Sequence, residues 1–246
     1  MLLNWKSRSF VATARFMFTD RLLRMIDKRL GRPSREQRLL AFVRASARPG
    51  DAEAVLGAMD LFATTQRFLM NIGPIKGAVL RDALLHARPR RVLEIGAYCG
   101  YSAVLIGATL AATSNAPGDG KLLSIERSRR FAKVAAGVIA HAGLGDTVDL
   151  HNGTLSDFIA QFTEPFDLVF LDHWKDEYLP DLERLESAGL LRAGTVVVAD
   201  NIGFFTVPDY LEHVRNGGRY DSRCVQASVE YHPELHDAVE VSIFRG

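Results

Sequence analysis

Arg91-Val-Leu-Glu-Ile-Gly-Ala-Tyr-Cys-Gly-Tyr-Ser102 decides the fold. Val92 to Ile95 reads as a short buried strand, Gly96 and Gly100 permit a tight turn with close approach to the backbone, and a helix follows from 101. Working outward, apolar runs at Leu122 to Ile125, Val148 to Leu150, Leu168 to Leu171 and Thr195 to Ala199 alternate with helical segments near 101–112, 128–142, 155–162, 178–187 and 208–215. Strands spaced by helices require right-handed crossovers, hence a parallel sheet covered on both faces. Ser222 to Tyr231 and Ala238 to Phe244 have no helix between them, which predicts an antiparallel pair at one edge. The expected architecture is therefore α/β and Rossmann-like: a mostly parallel seven-stranded sheet with an antiparallel C-terminal edge and helices on both faces.

Upstream, Ser34-Arg-Glu-Gln37 predicts a capping box that starts a helix running to about Ala47. Pro49, Gly50 and Asp51 interrupt, and Val55, Met59, Phe62 and Phe68 predict a second helix over about Ala52 to Leu69. Before residue 34 the segment Arg21 to Leu30 places Leu22, Leu23, Ile26 and Leu30 on one face of a short basic helix, with Gly31 and Pro33 as stop signals. Such a helix fits either an anionic membrane surface or docking on its own domain. The chain divides into a basic arm, 1–33, and one domain, 34–246.

The composition, 48% hydrophobic over 246 residues, fills a sizeable core and argues against a disordered chain. Residues 1–50 hold 12 Lys+Arg and 3 acids, net +9, which leaves 18 Lys+Arg against 26 Asp+Glu, net −8, for the rest. An acidic body gives no footprint for nucleic acid. Cys99 and Cys224 are too few for a disulfide framework or a four-ligand zinc site, which suits a reducing, cytoplasmic setting. No apolar run reaches the roughly 18–20 residues of a membrane span. There is no internal repeat.

In an open parallel sheet, ligands bind at the carboxyl ends of the strands, so the residues that end each strand carry the functional information. The first strand ends in the glycine turn and the second at Glu126, an acid placed to accept two ribose hydroxyls. Turn plus acid fits a nucleoside cofactor, the alternative being a structural turn beside a surface glutamate. The fourth strand ends in Asp172-His-Trp-Lys-Asp176 and the fifth in Asp200-Asn201. Two carboxylates and an amide oxygen form an all-oxygen set suited to Mg²⁺; either aspartate alone also fits a helix cap. Lys175, one helical turn from Asp172, is placed to return its amine to the same ion and serve as general base, the alternative being a solvent-facing lysine. Trp174 fits either the core or a flat wall for an aromatic substrate.

Glu94-Ile-Gly-Ala-Tyr-Cys-Gly-Tyr-Ser-Ala103, Leu171-Asp-His-Trp-Lys-Asp-Glu-Tyr-Leu-Pro-Asp181 and Gly189-Leu-Leu-Arg-Ala-Gly-Thr-Val-Val-Val-Ala-Asp-Asn201 resemble the catechol O-methyltransferases. Met70-Asn-Ile-Gly73, Lys76-Gly77 and Val229-Glu-Tyr231 extend the resemblance over about 34–246. It implies a methyltransferase fold that holds S-adenosylmethionine (SAM) with Met70, Ile72, Glu94, Gly96, Tyr98, Ser102, Glu126 and Ser156. Asp172 is implied at the same pocket, with His173 and Trp174 flanking the adenine. It further implies Mg²⁺ on Asp172, Asp200 and Asn201, Lys175 as base, and Glu230 on the second hydroxyl of a catechol. The sequence departs from the family at Gly153-Thr-Leu-Ser-Asp157, at Phe68 and at Gly203-Phe-Phe-Thr-Val207. Leu155, Phe68 and Phe205 therefore bear on the cofactor edge and the substrate slot.

The expected partner is a small catechol or other vicinal diol, such as a caffeoyl-type compound or a natural product. Peripheral membrane contact through the basic arm and a monomer or weak dimer complete the expectation. A non-catalytic SAM-binding scaffold is the rival from another class. The set Asp172, Lys175, Asp200, Asn201 and Glu230 argues against it.

Overall fold

The computed structural model describes Met25, Asp27 and residues 29–113 and 119–246. The expected basic helix over 21–30 falls largely outside these residues, Leu22, Leu23 and Ile26 among those not described. Of its described positions, Leu30 is exposed, while Asp27 is buried and pairs with Arg38 and Arg67.

Three helices precede the sheet: α1 (Arg35–Ser46), α2 (Ala52–Thr65) and α3 (Gly73–Ala87). The capping box forms as expected, Gln37 N donating to Ser34 Oγ and Ser34 N to Gln37 Oε1. Helix α2 stops at Thr65 instead of continuing to Leu69, because Gln66 N and Arg67 N both turn back to the Phe62 carbonyl. The chain then leaves the helix path, burying Leu69 and Ile72 and exposing Met70. Helix α3 is not predicted by the sequence. Its buried stripe, Gly73, Lys76, Gly77, Leu80, Ala83 and Leu84, has helical spacing, but two glycines and a lysine within it hide the apolar period.

From Arg91 the chain alternates as expected: β1 (Arg91–Ile95), α4 (Tyr101–Thr113), β2 (Lys121–Glu126), α5 (Arg129–His141), β3 (Val148–Asn152), α6 (Leu155–Phe158) and β4 (Phe166–Leu171). Helix α7 (Tyr178–Ser187), β5 (Leu191–Ala199), α8 (Pro208–Asn216), β6 (Tyr220–Val229) and β7 (His232–Phe244) complete the fold. The segment 155–162 is a single α-turn continued by a 3₁₀ turn, Ile159–Gln161. The strand order is β3-β2-β1-β4-β5-β7-β6. Strand β7 runs antiparallel between β5 and β6, which makes β6 the edge.

Alternation along the strands divides the core in two. Val92, Leu168, Phe170 and Val198 face one side, where α1 to α5 cover them. Leu93, Ile95, Val169, Leu171 and Val197 face the other, against Leu182 and Leu185 of α7 and Tyr210 and Val214 of α8. The order reverses between β1 and β4, so the crevice beyond their carboxyl ends is where this topology places a ligand.

Candidate active site

Gly96 leaves β1 with φ +104°. A Cβ there would lie 2.3 Å from the Asp172 carbonyl oxygen, so only glycine lets the β1 and β4 ends approach this closely. The next turn is bound to β2: Glu126 accepts from Tyr98 N at 2.8 Å and from Ser128 N at 2.7 Å. Burial raises the Glu126 pKa against those two bonds. Tyr98, at φ +46°, turns its hydroxyl to Arg35 and Glu36 at the start of α1.

Glu94 is fully buried inside β1, with Ser124 Oγ donating to its Oε2 and Oε1 lacking a hydrogen-bond partner. Burial pushes its pKa up to about 7, against the lowering effect of the Ser102 and Ser124 hydroxyls. Ser102 is buried on the first turn of α4, and Ile72 is buried while Met70 is exposed. Ser156 is exposed on α6, where Leu155 takes the buried position and Asp157 closes a capping box with Thr154.

At the β4 end, Lys175 Nζ donates to Asp172 Oδ1 at 3.4 Å and to the Tyr178 hydroxyl at 2.6 Å. Tyr178, fully buried, reaches the Leu171 and Asp200 carbonyls, so it fixes the lysine to both strand ends. Lys175 is thus not solvent-facing: its side chain is 15% exposed and lies 5.9 Å from the Phe205 ring. His173 lies 3.0 Å from Asp181 and stacks beside Tyr178. Trp174 is 66% exposed and Phe205 48%, which leaves both rings available at the rim.

At the β5 end, Asp200 is fully buried. Lys76 Nζ forms an ion pair with its Oδ1 at 2.9 Å, and neither carboxylate oxygen has a further hydrogen-bond partner. Burial raises the pKa of Asp172, Asp200 and Glu230, with Lys76 and Lys175 opposing. Asn201 donates its amide to Glu230 and Asp237 from a left-handed backbone, φ +58°.

Besides Tyr178, Lys76 and Asp237 were not assigned a role from the sequence. Lys76 of α3, wholly buried, contacts Asp200, Glu230 and Asp237. Burial alone would lower its pKa, but the three carboxylates hold it above the ordinary lysine range. Asp237 of β7 has the opposite sign: burial would raise its pKa, yet Lys76 and its hydrogen bonds keep it low. The signal for Lys76 was a cation inside an otherwise apolar and small-residue helical stripe; nothing in the local sequence marked Asp237.

Four carboxylates, Asp172, Asp200, Glu230 and Asp237, gather around Lys76 and Lys175, a formal excess of two negative charges. Among the described residues no group of three or more His, Cys, Asp or Glu is arranged to hold a metal. A metal site here therefore rests on two carboxylates plus the Asn201 amide. Hard oxygen donors, an Asp200 carboxylate that receives no further hydrogen bond, and the charge excess fit a divalent cation such as Mg²⁺. The unpartnered buried oxygen of Glu94, with Glu126 held at the β2 end, fits a cofactor that brings hydrogen-bond donors to both.

A glycine turn, an acid ending the next strand and a buried acidic cluster at the strand ends of a 3-2-1-4-5-7-6 sheet fit a Rossmann-like, nucleoside-cofactor-dependent enzyme. The model of the O-methyltransferase family matches residues 55–212, and the chain belongs to that family and is an O-methyltransferase. It is similar to catechol O-methyltransferase B of Danio rerio, 43% identical over 222 residues that cover 88% of this chain and 81% of that one. A catechol O-methyltransferase of Mus musculus is 38% identical, covering 87% and 80%. Among solved structures, an O-methyltransferase of Streptomyces achromogenes involved in tomaymycin synthesis, in complex with SAM, superposes with TM-score 0.60 at 27% identity, covering 70% and 80%. A Bacillus cereus O-methyltransferase in complex with SAH has TM-score 0.64 at 21% identity, covering 91% and 97%, and supports the fold alone.

Proposed function

We propose that this chain transfers a methyl group from SAM to one hydroxyl of a catechol-type substrate in a Mg²⁺-dependent reaction. The observation that carries the metal reading is Asp200, buried beside Asp172, Asn201 and Lys175, with the Lys76 ammonium on Oδ1 and no further hydrogen-bond donor on either oxygen. The relatives named catechol O-methyltransferase support the substrate class, and the SAM-bound structural relative supports the methyl donor.

The cofactor side is assigned to Glu94, Gly96, Tyr98, Ser102 and Glu126 together with Met70, Ile72 and Ser156, with Glu126 as acceptor for the ribose. Asp172, Asp200 and Asn201 would hold Mg²⁺. Bound there, Mg²⁺ would supply the Lewis acidity that lowers a phenol pKa from about 10, and SAM would supply an electrophilic methyl carbon. Lys175 Nζ takes the proton from the reacting hydroxyl, its amine held in place by Tyr178. Glu230 accepts from the second hydroxyl, so a monophenol leaves that carboxylate unpaired. Trp174 and Phe205, exposed at the rim, would serve as apolar walls for the substrate ring. Since no covalent enzyme intermediate is needed, alignment is the main resource, an effect worth about 7–11 kcal/mol in well-oriented systems.

Among the described residues no helix is long and apolar enough to cross a membrane. Of the two uses open to the basic arm, the part-buried pairing of Asp27 with Arg38 and Arg67 favours docking on the body.

Purified protein incubated with SAM and matched catechols and monophenols, with Mg²⁺ or chelator, tests the function by mass of the methylated product. Methylation of catechols only, lost in chelator, is expected. Equal methylation of monophenols, or turnover that survives chelation, would overturn it.

A further inference from the structure

We propose that Asp237 and Lys76 are positioning residues for the metal and diol groups, Asp237 by setting the orientation of the Asn201 amide and Lys76 by spacing Asp200 from Glu230. This deepens the magnesium reading and rests on it.

Asp237 is 1% exposed and both its oxygens are saturated with donors. Oδ1 accepts from Gly203 N at 3.2 Å, Phe204 N at 2.9 Å and Ala238 N at 2.8 Å. Oδ2 accepts from Lys76 Nζ at 2.7 Å and Asn201 Nδ2 at 2.8 Å. The Asn201 amide also donates to Glu230 Oε1 at 3.1 Å. Ionised carboxylates only accept, so the two acids dictate which end of the amide faces them: NH₂ toward Asp237 and Glu230, with Oδ1 turned the other way. An amide oxygen is the end that a hard cation uses. Asp237, together with Glu230, therefore orients Asn201 to act as a ligand.

The loop is seated for this. A Cβ on Gly203 would fall 2.8 Å from Ala238 N and Asp237 C, so the loop after Asn201 lies against β7 only because position 203 has no side chain. Ile202 N donates to the Ala238 carbonyl at 3.0 Å and pins the same stretch. Lys76 completes the frame from α3. Its single ammonium touches Asp200, Glu230 and Asp237, the implied metal carboxylate, the implied diol carboxylate and the amide-orienting carboxylate.

Asp237→Asn keeps shape while replacing one acceptor oxygen by a donor where Lys76, Asn201 and the loop N–H groups converge. Removing such outer partners commonly costs about 10–100-fold in metal affinity. Calorimetric titration of the SAM-loaded full-length protein with MgCl₂ is expected to show a loss in that range, and SAM affinity is expected to stay within about twofold of wild type. The apparent activation constant for Mg²⁺ should rise in parallel, with much of the turnover recovered at high Mg²⁺. Gly203→Ala, which alters no charge, is expected to weaken Mg²⁺ in the same direction but by less, again without loss of SAM. A wild-type protein that binds Mg²⁺ with an Asp237→Asn variant that binds it equally well would overturn the positioning role alone. Parallel loss of SAM and Mg²⁺ in both variants would also overturn it, because that pattern marks general loosening. A wild type that binds SAM but no Mg²⁺ would overturn the magnesium reading and this inference together.

Discussion

Replacing Glu94 by glutamine is expected to change how stability depends on pH. The carboxyl is fully buried, one of its oxygens has no hydrogen-bond partner, and burial raises its pKa from the ordinary 4.5 to about 7. Between those two values the native state holds a proton that the unfolded chain has released, so native stability falls as pH rises from about 4.5 to about 7 and levels off above. A shift of that size corresponds to about 3 kcal/mol, with no discount for solvent since the group is buried. At roughly 2–4 °C per kcal/mol for a chain of this length, the change is roughly 6–12 °C in Tm. The variant's amide cannot ionise, whereas Asp172, Asp200 and Glu230 titrate alike in both proteins and cancel in the difference. The assay is thermal unfolding of ligand-free wild type and Glu94→Gln at half-unit steps from about pH 5 to 8. Wild type should lose stability relative to the variant across that window. Parallel curves would refute the argument, because they would mean that Glu94 ionises at the same pH in both states.

Three further outcomes follow from the site. Lys175→Ala is expected to keep SAM affinity and lose most turnover; near-normal turnover, measured by product mass, would remove it as base. Tyr178→Phe takes away the acceptor 2.6 Å from Lys175 Nζ, while the Leu171 carbonyl keeps the Asp200 N–H. Because the buried Asp200 carbonyl loses its Tyr178 donor, the substitution should cost about 1–3 kcal/mol of stability in denaturant melts, and it should lower kcat more than KM. Deletion of residues 1–33 removes Asp27 from Arg38 and Arg67, partly exposed pairs worth about 1 kcal/mol at most, so catalysis should survive; an insoluble or inactive product would place the arm within the fold.

The parallel sheet was legible because its strands are short apolar runs that each end in a polar or glycine residue, and the Ser34 capping box was legible because its chemistry is local. Helix α3 was not, since its buried stripe carries Lys76 and two glycines in place of apolar side chains. The end of α2 was missed because Leu69 continues the apolar spacing but is buried from a loop. At the site, Asp172, Lys175, Asp200 and Asn201 could be read from strand ends. Lys76 and Asp237 could not, because their roles depend on a contact between α3 and β7 spanning 161 residues of sequence. Tyr178 stood in plain view within the motif, but only the fold brings its hydroxyl to two strand ends at once.

The most direct test of the central claim is anomalous diffraction from crystals grown with SAM and Mn²⁺ in place of Mg²⁺. The account predicts one strong peak about 2 Å from oxygens of Asp172, Asp200 and Asn201, within reach of Lys175. No peak among those side chains, in protein that methylates catechols under the same conditions, would contradict it.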